Sequence, residues 1–189
     1  MGRPKRFCHA RCRVMASRRR RSAGVPAELV GLDRWVNWKP VRRGERWTKM
    51  PVQVNGRPAS STNPLTWGSF EAVKARSERV GFVLGCQLGG KHLVCVDLDH
   101  ALAPDGGLTV GAAKVLDLFP ATWVEVSPSG DGLHVWGVTD YVPGRCVFTF
   151  EGQSVEVYTS GRYLTVTGRP FEGSPLLLAD VSEGLRMIV

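Results

Sequence analysis

The chain has 189 residues, 43% of them hydrophobic, enough for one well-cored domain, and no apolar run reaches the roughly 18 residues that span a bilayer. Its net charge of +8 belongs to the first 24 residues, which hold nine Arg and Lys and no acid; the remainder has 25 − 9 = 16 bases against 17 acids, a net of −1. Basicity therefore describes a tail and not the body, and five scattered cysteines exclude a disulfide framework.

Residues 1–24 form a basic segment of their own. "GRPKR" matches a hook that lies along narrow A·T minor grooves. The wider "GRPKRFCHARCR" resembles the second half of a small zinc-binding module of actinobacterial and phage proteins. Cys8 and Cys12 would supply two of the four ligands that a closed zinc site needs; the plain alternative is a disordered basic arm. This N-terminus has no apolar core and is unlike a secretory signal, so a cytoplasmic protein of a bacterial or phage-infected cell, without membrane contact, is expected.

From Val25 the pattern is compact. "RWVNWKPV" (34–41) and "RWTKMPVQV" (46–54) predict a hairpin across Arg42–Glu45, followed by a hydroxyl-rich loop, "NGRPASSTNP" (55–64). "LTWGSFEAVKARSER" (65–79) predicts a helix capped near Thr66 with Trp67, Phe70 and Val73 on one face, and "LTVGAAKVLDLF" (108–119) predicts a second helix. Strands are expected at 80–85, 92–99, 122–128, 133–138, 154–159 and 162–168. The class is α+β with a mixed sheet, organised as the tail 1–24, a domain over 25–175 and a C-terminal extension, 176–189.

Three of these strands carry residues that a core rejects. In "VCVDLDHAL" (94–102), Cys95, Asp97 and Asp99 share one face because side chains alternate. Carboxylates two residues apart, about 7 Å along the strand, suit a hard divalent cation, and equally suit the capping of a turn. "SPSGDGLHVWG" (127–137) is a glycine turn that feeds His134 onto a strand, either as a satisfied core histidine or as a donor to a phosphate oxygen. "SVEVYTSGRYLTVTG" (154–168) holds Glu156 between valines, and Arg162 after a Ser160–Gly161 turn; the two could pair across the hairpin, or Arg162 could reach a phosphate. On neighbouring strands, Asp97, Asp99 and Glu156 would make a three-carboxylate cage with His134 beside it, the donor set of two-metal phosphoryl transfer.

The order of these motifs resembles the archaeo-eukaryotic primase superfamily, and within it the bifunctional primase-polymerase domains of phages and plasmids. Asp97 and Asp99 match the family's Asp-x-Asp motif, Ser129 and His134 its nucleotide-binding turn, and Glu156 its third acid, where Asp is commoner. "LDRWVNWKP", "TKMPVQVNGRPASSTNPLTW" and "GFVLG" also resemble phage members, so the likeness covers about residues 27–170. It implies an RRM-like catalytic sheet packed on a second small α/β unit, and template-directed joining of nucleoside triphosphates on single-stranded or primed DNA. Two Mg²⁺ or Mn²⁺ ions would sit on Asp97, Asp99 and Glu156, and the triphosphate on Ser129, His134 and Arg162. Lys49, Arg57, Ser60, Ser61 and Thr62 would touch template or nucleotide, and a replicative helicase is the implied partner. Two other classes use the same residues: a metal-dependent nuclease, although Tyr158 stands where its usual lysine would, and a non-catalytic DNA-binding module.

Overall fold

The structure is a computed structural model and describes residues 24–142 and 147–189. The basic segment with Cys8 and Cys12, apart from Gly24, lies outside the described residues. Two antiparallel sheets make up the fold. The first contains β1 (Trp35–Arg43), β2 (Arg46–Val52), β3 (Val80–Val83) and β10 (Tyr163–Val166), in the order β10-β3-β1-β2. The second contains β5 (Lys91–Asp99), β6 (Trp123–Val126), β7 (Leu133–Thr139), β8 (Val147–Phe150) and β9 (Gln153–Tyr158), in the order β6-β7-β5-β9-β8, with the short β4 (Gln87–Leu88) paired to β5. Helices are few: α1 (Ala27–Val30), α2 (Phe70–Arg76), α3 (Val110–Leu116) and α4 (Ser182–Ile188).

The expected class, α+β, is what the chain forms. The expectation of a mixed sheet needs correction. Every pairing between strands is antiparallel among the described residues, and parallel pairing is confined to the isolated bridge Val138↔Asp180. The helix expected at 65–79 is also shorter. Thr66 spends its hydroxyl on the Asn63 carbonyl (2.7 Å) inside a 3-10 turn, so Ser69 caps α2 instead, its Oγ accepting from Ala72 N–H at 3.2 Å. Trp67 is therefore off the helix, and its indole donates to the Ser60 carbonyl at 2.6 Å. Thr109 caps α3 in the same way as Ser69 caps α2.

Strand alternation gives the second sheet two apolar faces. Val94, Val96 and Leu98 of β5 join Val135, Val155 and Val157 under α3 and α4, where Ala112, Val115, Leu185 and Ile188 are buried. Gly184 lets α4 approach so closely, since a Cβ there would stand 2.5 Å from the Leu118 carbonyl oxygen. On the other face, Leu93 and Cys95 pack with Trp123, Trp136 and Tyr158 against Trp35, Phe82 and Leu84 of the first layer. Phe82 meets Trp136 edge-on, centroids 6.3 Å apart, and Trp136 stacks on Trp123 at 5.5 Å. Aromatic contacts of this kind contribute about 0.5–1.5 kcal/mol each beyond burial. The inter-sheet face of β5 thus runs Leu93, Cys95, Asp97, Asp99: the acids begin where the apolar filling between the sheets ends.

Candidate active site at the mouth of the two sheets

Register assembles the site. Asp97 on β5 is directly opposite His134 on β7 and directly opposite Glu156 on β9, while His134 is in turn opposite Glu125 on β6. Opposed residues in antiparallel strands share a face, so Glu125, His134, Asp97 and Glu156 form one row across four adjacent strands. Asp99 lies two pairs further on, on the same face and opposite Ser154, at the open strand end. The following residue, His100, adopts a left-handed φ of +52°, which turns the chain sharply away.

Within the row, His134 is the pivot. It is 3% exposed, with Nδ1 3.1 Å from Glu125 Oε1 and Nε2 3.7 Å from Asp97 Oδ1. Glu125 is fully buried, and its second oxygen accepts from Thr167 N–H (2.9 Å), Thr167 Oγ1 (3.0 Å) and Gly168 N–H (2.8 Å). A carboxylate this deep persists because four donors surround it. With Glu125 accepting at Nδ1, Nε2 is the nitrogen turned toward Asp97.

Burial pushes the Asp97 carboxyl above the usual carboxylate range; His134 draws it back down, Asp99 and Glu156 push it further up, and Lys49 lowers it. Negative charge at this spot is therefore incompletely neutralised by the protein. Glu156 is engaged by the Tyr158 hydroxyl, which donates to Oε2, and Arg162 Nη2 donates to that same phenol oxygen at 2.9 Å with its guanidinium 4.7 Å above the Tyr158 ring. Glu156 and Arg162 thus communicate through Tyr158 and form no direct pair. Burial, then the bond to Glu156, push the Tyr158 hydroxyl up to about 12, so it remains a donor.

The glycine turn closes one side. Gly130 has φ +94°, and a Cβ on Gly132 would stand 3.0 Å from the Leu98 carbonyl oxygen, so the turn lies against the end of β5. His100 Nδ1 and Asp131 Oδ2, 2.6 Å apart, tie the two together. Ser129 Oγ is 2.8 Å from Ser127 Oγ, and its hydroxyl, ahead of His100, holds the Asp131 carboxyl below its ordinary range; no hydrogen bond links Ser129 to His134.

Other expected contacts divide. Lys49 is exposed on β2, yet its charge acts on Asp97. Ser61 Oγ donates to the Gly161 carbonyl at 2.9 Å, bringing its loop to the turn before Arg162. Ser60 and Thr62 bond each other at 3.0 Å inside that loop, and no hydrogen bond or ion pair among the described residues connects Arg57 to the acids. Glu125 and Tyr158 are the site members that sequence reasoning passed over; an acid inside "TWVEV" was a signal of the same kind as Glu156.

Among the described residues, no three His, Cys, Asp or Glu side chains stand as a ready-made ligand set. The donor chemistry nevertheless fits a hard divalent cation: Asp97, Asp99 and Glu156 offer only carboxylate oxygens on one face, and the raised Asp97 marks charge that a cation would neutralise.

No family model matches the chain. Over 160 residues it is 40% identical to the DNA Primase-polymerase of Nitratiruptor phage NrS-1. These residues form a domain of the phage primase-polymerase type. The match takes in 79% of this chain, which spans about a fifth (21%) of the relative's length. Among the described residues of the domain, no helix is long and apolar enough to cross a membrane.

Proposed function

We propose that the domain is a template-directed nucleotidyltransferase, a DNA primase-polymerase that joins nucleoside triphosphates during phage or plasmid replication. The observation that carries this reading is the unbroken row Glu125–His134–Asp97–Glu156 over four strands, with Asp99 beside it. The likeness to a phage DNA primase-polymerase supports it. The strand order β9-β5-β7-β6, all antiparallel with α3 and α4 on one face, supports reading this sheet as RRM-like.

In this mechanism the chain binds and orients. His134, held at Nδ1 by Glu125, presents Nε2 to the phosphates of an incoming triphosphate; with Nδ1–H committed to Glu125, that contact takes a second proton on the ring, and the imidazolium makes it a charge-assisted bond. Arg162, stacked on Tyr158, supplies a second cationic contact, and the Ser129 turn lines the same pocket. Tyr158 keeps Glu156 turned into the cleft while its own proton stays in place. Asp97, Asp99 and Glu156 would hold the divalent ions, which when bound lower the cost of charge on the attacking 3′-hydroxyl and the departing pyrophosphate.

The test is extension of a labelled primer on a DNA template with Mg²⁺ or Mn²⁺. Wild-type protein should add nucleotides, and Asp97→Ala/Asp99→Ala should add none. Full incorporation by the double variant, or shortening of the labelled strand without triphosphates in place of extension, would overturn the assignment.

A further inference from the structure

Beyond residue 38, β1 pairs only with β2, so the two continue past the first sheet as a two-stranded ribbon closed by a two-residue turn with Gly44 at φ +60°. From residue 39 to 50 the ribbon holds Lys39, Arg42, Arg43, Arg46 and Lys49 against one acid, Glu45. None of these five cations enters an ion pair among the described residues, whereas Lys74, Lys91, Lys114 and Arg186 each have a carboxylate partner. In a body whose net charge is close to zero, this is a concentrated, unneutralised positive surface.

Register sorts the ribbon's side chains. Trp38 opposes Pro51, Pro40 opposes Lys49 and Arg42 opposes Trp47, which puts Trp38, Lys49, Arg42 and Trp47 on one face over about 13 Å. Trp47 is 69% exposed, with no ring partner among the described residues. Trp38 is half-buried, with Arg79 and Lys49 5.4 and 5.9 Å from its ring. Alternating aromatic planes and cations are what a single strand requires, bases stacking on the rings and phosphates meeting the charges. Lys49 also fixes the direction: its carbonyl accepts from the Tyr163 hydroxyl, next to the Arg162 that reaches Glu156 through Tyr158. A strand laid along this face leads to the carboxylates.

We infer that this ribbon face is the docking track for the single-stranded DNA template. The direction of the track rests on the nucleotidyltransferase reading; the binding itself does not.

The experiment measures binding of a fluorescein-labelled 20-nucleotide oligothymidine to the full chain by anisotropy across a salt series. Each phosphate neutralised on single-stranded DNA contributes about 0.7 to the slope of log K against log salt. Arg42→Ala, which removes the arginine of the track face, should therefore flatten that slope by about 0.7. Trp47→Ala should weaken binding about 5- to 150-fold at every salt concentration and leave the slope unchanged. Lys74→Ala removes equal charge from elsewhere and should leave the slope as it is. At saturating primed template, the arginine and tryptophan variants should keep the wild-type kcat with a raised KM for template. An unchanged slope in the arginine variant, or an equal loss in the lysine control, would overturn the track. A flattened slope in a chain that incorporates no nucleotide would uphold the track and reject the polymerase reading.

Discussion

Glu125 has the largest expected effect of any single substitution in the site. In Glu125→Ala, three donors lose their acceptor: His134 Nδ1–H, Thr167 N–H and Gly168 N–H; the Thr167 hydroxyl keeps the Val126 carbonyl at 2.7 Å. An unpaired buried donor costs about 1–3 kcal/mol. His134 is buried and takes the middle of that range, while Thr167 and Gly168 are half-buried and take the low end. The sum is about 4 kcal/mol, or about 8–16 °C in Tm for a chain of this size. Glu125→Gln should cost only about 1–2 kcal/mol, since its carbonyl still serves the three donors of the 167–168 segment. Its amide then faces Nδ1 of His134, obliging that nitrogen to accept and moving the imidazole proton to Nε2. Urea denaturation reads the stability, and ¹⁵N–¹H correlation of the imidazole reads the tautomer. A loss below about 1 kcal/mol in the alanine variant, or an unmoved tautomer in the glutamine variant, would refute this account of how the imidazole is held.

Two further expectations follow from charge. Asp97→Asn removes a half-buried carboxylate that Asp99 and Glu156 repel, so without divalent ions the variant should have the higher Tm at neutral pH; Mn²⁺ should then raise the wild-type Tm and not the variant's, and a lower Tm in the metal-free variant would contradict the crowding described here. Asp180 is held at about 2, first by its bond from Lys91 and then by Ser182. A carboxyl depressed on folding contributes stability in full above its ordinary value of about 3.9 and loses it as pH falls toward the folded value. The difference in urea midpoint between wild type and Lys91→Met should thus narrow as pH falls from about 4 to about 2, and a gap that widens on acidification would be the wrong sign.

Much of this fold was legible because its strands are short, apolar and bounded by glycine turns; β5, β7 and β9 fall within a residue of their expected limits. What escaped depends on contacts remote in sequence. β8 is an edge strand of four residues whose burial alternates weakly, and α4 carries Gly184 in its middle, a residue that argues against a helix until the neighbouring carbonyl of Leu118 is known. The segment at 65–69 looked helical because Trp67 falls on the Phe70 and Val73 stripe, yet Asn63 and Thr66 close a tighter turn first. In the site, the placement of Asp97 between His134 and Glu156 came from reading lone polar residues in apolar strands. Glu125 obeys the same rule, but its partners lie in a segment some 42 residues away, invisible to local pattern. The direct pairing of Glu156 with Arg162 failed for a simpler reason: strand alternation puts Tyr158 on the same face between them.

Thr167 and Gly168 follow directly from β10, an edge strand of the first sheet, while the imidazole they help to steady rides on the second. The two layers therefore cannot slide past each other without loosening the grip on His134. Interlayer rigidity and the aim of that ring are a single mechanical quantity, so whatever wedges the layers apart at the distant Phe82–Trp136 contact should blunt the site even though it touches none of its polar groups.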